Sequence, residues 1–366
     1  MELIKTADDR MSNLVSYLEL LGEKKTGREA YDQYSAVLLT ASAWEVNTAI
    51  HHVISKATNV EDWKKPVARF IRACGSSLES AIIPDYKENQ LLVLLEKENA
   101  DISIFLELVQ KKTIELKSDP DQFCSFINFL QSTDLFTPHY ISLQNELFPL
   151  FEKTAEHYSC VSLMWSIQDD VLSLRKEILK YTKANTEFWK IFGEFFLNAG
   201  ALSFRESRIL FPVAFRTIPE TVSFTKQKES INTSLAFISK TGSLDMATLE
   251  KIFSIIPLDI AFIGSDDRVK FYSDPPHRIF PRSPAVIGRL VQNCHPPKSV
   301  SVVDQILKDF KSGKKDSEEF WLTIKNNFIY ITYYALRADS GEYMGTLEVS
   351  QDATNLRSLQ GEKRIL

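Results

Sequence analysis

The stretch Pro257-Leu-Asp-Ile-Ala-Phe-Ile-Gly-Ser-Asp-Asp-Arg-Val-Lys-Phe-Tyr-Ser273 decides the fold of the last third of the chain. Asp259–Ile263 and Val269–Tyr272 read as two strands, and the acidic turn Gly264-Ser-Asp-Asp267 between them is a hairpin signal. Farther out, Glu319–Ile324, Phe328–Arg337 and Tyr343–Gln351 carry the same period of two. They are parted by Asn326-Asn327 and Asp339-Ser-Gly341, which predicts a three-strand meander. A Pro-rich loop and a helix over Val300–Phe310 fill the interval. Two strands, helical material and three strands within ~100 residues describe a compact α+β domain on a five-stranded antiparallel sheet.

Upstream the period becomes helical. In Asp85–Val109 apolar residues recur at three- and four-residue steps between charges, and Asp121–Leu130, His139–Lys153, Leu163–Tyr181 and Asn185–Phe215 behave alike. Residues 1–80 are mainly helical by pattern. Gly and Pro follow the same division: residues 243–366 hold 6 of the 12 Gly and 7 of the 14 Pro. A boundary therefore falls near residue 240, where the polar, turn-prone Ser239–Leu244 suits a linker.

The chain has 366 residues, 44% hydrophobic and 25% charged, with only four Cys, which excludes collagen, low-complexity disorder and a disulfide scaffold. A net charge of −5 provides no positive field to gather nucleic acid or an anionic membrane. The opening Met1–Asn13 lacks the apolar core of a signal peptide, and the tightest apolar run, Leu91–Leu95, is far too short to span a membrane. A cytoplasmic protein is expected. Cys74, Cys124, Cys160 and Cys294 lie far apart without metal-ligand spacing, and buried free thiols in a reducing compartment are expected.

Two helical segments match each other: His139-Tyr-Ile-Ser-Leu-Gln-Asn-Glu-Leu-Phe-Pro149 and Leu202-Ser-Phe-Arg-Glu-Ser-Arg-Ile-Leu-Phe-Pro212. A repeat in a helical region implies two helix pairs about a pseudo-twofold axis, hence a four-helix bundle. These strings, with Met164-Trp165-Ser-Ile-Gln168-Asp169-Asp170, resemble the hemerythrin-like, HHE cation-binding family. That resemblance implies a di-iron centre built from His and carboxylates four residues apart on paired helices. The implied ligand set is broken here: Leu143 and Gln144 stand at carboxylate positions, Leu202 at a His position, and Gln168 at another. No metal is therefore expected, with His139, Glu206, Asp169 and Asp170 as the residual candidates.

The stretch 257–273, together with His277–Gly288, Val291–Ser299 and Gly345–Thr354, resembles a PAS domain, in the form that an uncharacterised prokaryotic family carries behind a hemerythrin-like bundle. The resemblance implies a ligand or cofactor held between a curved sheet and flanking helices. Asn293, Cys294, His295, Trp321 and Tyr333 are the candidate pocket residues; His295 reads either as a heme ligand or as a residue that ends one element and caps the next. Asp352 and Thr354 resemble the Asp-x-Thr that holds the outgoing chain at the domain's exit, and only 12 residues follow, so no output domain is expected.

The expected organisation is an N-terminal helical region over 1–80, a hemerythrin-like bundle over 81–225, a linker over 226–247, a PAS domain over 248–356 and a tail over 357–366. No Gly-rich phosphate loop, Gly-x-Ser-x-Gly or His-Glu-x-x-His occurs, so no reaction is nominated. The resulting expectation is a non-enzymatic sensory or regulatory protein that takes a small ligand or a protein partner, or dimerises through either unit. The alternative is an iron- or heme-dependent oxygen or redox sensor.

Overall fold

Caps and apolar spacing place the helices. The computed structural model describes residues 2–23, 28–153, 159–218 and 236–364. The chain divides into two units, Met1–Ser223 and Phe224–Leu366. The first begins with α1 (Glu2–Gly22), α2 (Arg28–Leu38) and α3 (Ala43–Ile54). Ser42 opens α3 with a capping box: its hydroxyl accepts from Glu45 N–H, and the Glu45 carboxylate accepts from Ser42 N–H in return. After α4 (Lys64–Ala73) and α5 (Gly75–Ser80) comes α6 (Gln90–Ser118), started by the Asn89 side chain accepting from Leu92 N–H. Leu92, Leu95, Asn99, Ile102, Leu106 and Val109 form its buried stripe.

The rest of the unit is α7 (Phe123–Ser132), α8 (Phe136–Ser142), α9 (Phe148–Glu152), α10 (Ser159–Ile178), α11 (Thr186–Arg205) and α12 (Phe211–Thr217). Aromatic rings link them. Phe123 meets Phe188 at 5.1 Å, Phe126 meets Phe192 at 5.5 Å and Phe136 meets Phe195 at 5.5 Å. Leu14, Leu18 and Phe70 belong to the same buried cluster as these rings. Residues 1–80 therefore share the core of the later helices, and no core boundary falls at residue 80.

The sequence repeat reappears as a structural one. A π-turn spans Leu143–Leu147 and a second spans Glu206–Leu210, at the same offset in each repeat. Phe148 N–H reaches the Leu143 carbonyl and Phe211 N–H reaches that of Glu206, five residues back in both cases. The cause is the following proline. Pro149 and Pro212 lack an N–H, and in a regular helix their rings would strike the carbonyls of Asn145 and Arg208, so the turn widens.

In the second unit, part of the stretch expected as a linker is folded. Residues 226–235 lie outside the described residues, but β1 (Ala236–Ser239) and β2 (Gly242–Asp245) form a hairpin, and Asp245 caps α13 (Met246–Ile255). The polar Lys240-Thr241 is its turn, steadied by the Ser239 hydroxyl, which accepts from Thr241 N–H. Then come β3 (Asp259–Gly264), β4 (Val269–Tyr272), α14 (Pro297–Lys311), β5 (Ser317–Ile324), β6 (Asn327–Arg337), β7 (Tyr343–Asp352) and α15 (Thr354–Ser358). The antiparallel sheet has the order β4-β3-β7-β6-β5. Lys325 and Asn326, both at positive φ, turn β5 into β6, so the turn sits one residue earlier than Asn326-Asn327.

Candidate functional site

The register of the sheet fixes which side chains share a face. Asp259 pairs with Ser350 and Ser350 with Ile331; Ala261 pairs with Glu348 and Glu348 with Tyr333. Partners opposite one another point to the same side, so Asp259, Glu348, Ser350, Ile331 and Tyr333 form one surface. The polar side chains among them are shielded from solvent: Asp259, Glu348 and Ser350 are all buried. Apolar residues are buried in the same unit, among them Ala261, Ile263, Leu307, Phe310 and Ile331. Carboxylates buried on a sheet face are costly unless they are paired and hydrogen-bonded.

Two arginines from the loop after β4 cover that surface. Arg278 Nε lies 3.9 Å from Asp259, whose carboxylate also accepts from Ile279 N–H at 2.8 Å and Phe280 N–H at 3.1 Å. Burial pushes the Asp259 carboxyl up, against these hydrogen bonds and the Arg278 charge. Arg282 Nη2 donates to Glu348 at 3.3 Å, and its side chain is 10% exposed. Burial would lower the Arg282 pKa, but Glu348 and then Cys294 and Tyr333 reverse the sign and hold it above its ordinary value. The Tyr333 phenol is pushed well up by burial and by Glu348. Within this cluster Arg282 Nε and Ser350 Oγ have no hydrogen-bond partner. Both can donate, so what the interior lacks is an acceptor.

The expected pocket residues divide. Tyr333 lies on the polar surface, stacked on Phe320 at 5.5 Å, and Cys294 hydrogen-bonds Arg282. Trp321 does not belong: it pairs with Tyr330, which puts it on the opposite face, where it is 60% exposed. His295 is a local tie, its Nδ1 2.8 Å from the Val291 carbonyl, which accepts its proton, and Asn293 is held by N–H donation to Leu290 O. Of the two readings of His295, this geometry matches the one that ends an element. At the exit, Asp352 accepts from Thr354 N–H at 2.9 Å, while Thr354 Oγ1 accepts from Phe328 N–H at 2.7 Å. The motif thus clips the outgoing chain to the start of β6. Sequence reading missed Asp259, Arg278, Arg282, Glu348 and Ser350. Alternation along β7 was the available signal, since Thr346, Glu348 and Ser350 are polar at the positions where an apolar face would show.

The helical unit holds a second buried polar group. His139 lies between Glu206, 2.7 Å from Nε2, and Glu98, 2.9 Å from Nδ1. Hydrogen bonds from both nitrogens to carboxylates require a doubly protonated ring. Burial alone would lower its pKa; the Glu206 charge and hydrogen bond, then those of Glu98, raise it to about 9. Arg205, also buried, donates to the Cys160 carbonyl at 3.2 Å. Gln144 donates to Gln168 at 2.9 Å. Asp170 pairs instead with Lys64, and Asp169 is half-buried beside it on α10. Among the described residues no group of three or more His, Cys, Asp or Glu side chains is arranged to hold a metal ion. No helix among them is long and apolar enough to cross a membrane.

Residues 249–354 match the PAS domain family, and the five-stranded unit is a PAS domain. That match covers less than a third of the chain. The C-terminal domain of a Streptococcus mutans protein is 29% identical, over 35% of this chain and 100% of that one, with a TM-score of 0.34. The PAS domain of a Colwellia psychrerythraea protein is 13% identical, over 30% of this chain and 97% of its own, with a TM-score of 0.23. No curated protein matches at a significant level.

Proposed function

We propose that the chain is a non-catalytic sensory or regulatory protein whose PAS domain takes a small ligand carrying an acceptor oxygen. The unpartnered Arg282 Nε and Ser350 Oγ, buried over the sheet, carry this reading. An unmet buried donor costs about 1–3 kcal/mol, and a ligand oxygen that accepts from these groups recovers it. Binding there bears on β7, the strand that supplies Glu348 and Ser350 and ends at the Asp352–Thr354 clip, so ligand state reaches the exit of the domain through one element. A protein partner, or a second copy of the chain, receives that change.

In the same reading the helical unit is a hemerythrin-like bundle that has given up its di-iron site. The residues present do not fit the metal. Both nitrogens of His139 are occupied by hydrogen bonds to carboxylates, Leu143 and Leu202 place apolar side chains at implied ligand positions, and Gln144 and Gln168 bond each other. The His139 imidazolium supplies, between Glu98 and Glu206, the positive charge that a metal would have supplied. No iron or heme enters the function, and the protein acts in the cytoplasm.

Native mass spectrometry of the desalted full chain, with metal analysis and a visible spectrum of the same sample, tests the whole. The expected result is a colourless, iron-free protein that either retains a small molecule, lost in R282M/S350A, or gains about 2 °C or more in the PAS melting transition with a panel of 2-oxo acids, amino acids and short carboxylates, a gain absent in that variant. Stoichiometric iron or heme, or neither retention nor any shift, overturns it.

A further inference from the structure

A cleft of about 230 Å³ opens in the helical unit between the start of α3, the loop Ala81–Pro84 and α12. Its walls are apolar: Trp44, Leu78 and Val213 line it, and Ile82, at its lip, is 96% exposed. Two guanidinium groups stand among these apolar side chains. Arg216 lies 4.3 Å over the Trp44 ring, and Arg208 donates to the Glu79 carbonyl at 3.3 Å. Among the described residues no carboxylate pairs with either, although acids outnumber bases in the chain, 48 to 43. Beneath the loop Tyr86 is buried edge-on to Phe215, and its phenolic oxygen has no hydrogen-bond partner; burial and the Glu96 charge push its pKa up, with the Arg208 charge opposing.

We propose that this cleft binds a small organic carboxylate with an apolar body, at a site separate from the PAS domain. A guanidinium offers a planar fork that matches a carboxylate, and one already stacked on an indole stays oriented with its N–H groups turned outward. At the start of α3 the capping box already engages the Ser42 and Glu45 amides and places the Glu45 carboxylate there, so the anion is assigned to the guanidinium groups. The apolar walls select against a free inorganic anion. Volume sets the size: pockets for drug-sized molecules run to roughly 300–1,000 Å³, so this one takes a single ring or a short acyl chain.

Saturation-transfer NMR and calorimetry on the full chain test it with benzoate, benzyl alcohol and inorganic phosphate. Benzoate is expected to bind saturably, at least about tenfold more tightly than either of the others. R208Q and R216Q each weaken benzoate about tenfold or more while circular dichroism stays unchanged, and R282M leaves it unaffected, which separates the cleft from the PAS site. Because R216Q also removes the stack on Trp44, R208Q provides the independent check. No saturation by about 10 mM benzoate, equal binding of benzyl alcohol or phosphate, or a loss confined to R282M overturns the proposal.

Discussion

The His139 clamp makes a prediction whose sign and size follow from the geometry. A histidine at about 9 in the folded chain and 6.5 unfolded binds its proton more tightly when folded. It stabilises fully below pH 6.5, and that stabilisation is lost as pH rises through 9. Linkage gives about 3 kcal/mol at pH 6 and about 1 kcal/mol at pH 8.5, so the helical unit loses about 2 kcal/mol across that interval. With a urea slope of about 2 kcal/mol/M the midpoint falls by about 1 M. The buried thiols Cys74 and Cys160, pushed up to about 12 and about 11 by burial, destabilise in the same direction, but only above the unfolded thiol range near 9. The interval from pH 6 to 8.5 therefore isolates the histidine.

Urea denaturation of the full chain, followed by circular dichroism at 222 nm every half pH unit, measures it. H139Q abolishes the imidazole titration, and H139Q/E206Q does so without leaving a buried carboxylate unpaired, so the midpoint of the double variant is expected to stay flat over the interval. Removing the imidazolium also strands Glu206, whose side chain is 1% exposed and whose Oε1 has no hydrogen-bond partner. Breaking a buried pair in this way costs about 3–5 kcal/mol at pH 6. H139Q/E206Q is then expected to be more stable than the sum of the single variants by about 1 kcal/mol or more. A wild-type midpoint that does not move between pH 6 and 8.5, or a fall of equal size in H139Q/E206Q, refutes the clamp as the source.

Other expectations concern packing and the exit. Phe188 is fully buried and touches Phe123, Phe126 and Phe192, so Phe188→Ala should destabilise the helical unit by about 3–5 kcal/mol, read from its urea midpoint. A Cβ at Gly345 would press into the Ile263 carbonyl oxygen across β3 and β7, so Gly345→Ala should lower PAS stability by about 1–3 kcal/mol or more, visible as a lower melting temperature of that unit alone. Thr354→Val removes the oxygen that accepts from Phe328 N–H; hydrogen exchange at the start of β6 should rise while the middle of β7 stays protected.

What the sequence disclosed and what it withheld follow one physical rule. Local periods and local steric demands are written in neighbouring residues. The Leu-Phe-Pro strings marked the repeat, and because proline acts on the carbonyl four residues before it, they also mark the two π-turns. The hairpin over 257–273 was legible for the same reason. Side-chain partners brought together only by the fold were not: Glu98 reaches His139 across 41 residues, and Arg282 reaches Glu348 across 66. Trp321 and Tyr333 are the instructive case. A two-residue turn at Lys325-Asn326 pairs Trp321 with Tyr330, and one moved to Asn326-Asn327 would pair it with Thr332; both place Trp321 on the face away from Tyr333. A three-residue loop over Lys325–Asn327 would instead pair Trp321 with Ile331 and bring it to the face of Tyr333, so the length of this turn decides whether the two could line one pocket. The two-residue turn therefore assigns Tyr333, with Glu348 and Ser350, to the interior and leaves Trp321 on the outer face. A ligand over the sheet should accordingly perturb the Tyr333 ring, while the fluorescence of Trp321, isolated by replacing the other four Trp with Phe, stays constant. A Trp321 response at ligand saturation without one at Tyr333 would place the ligand on the other side of the sheet and remove Arg282 and Ser350 from the site.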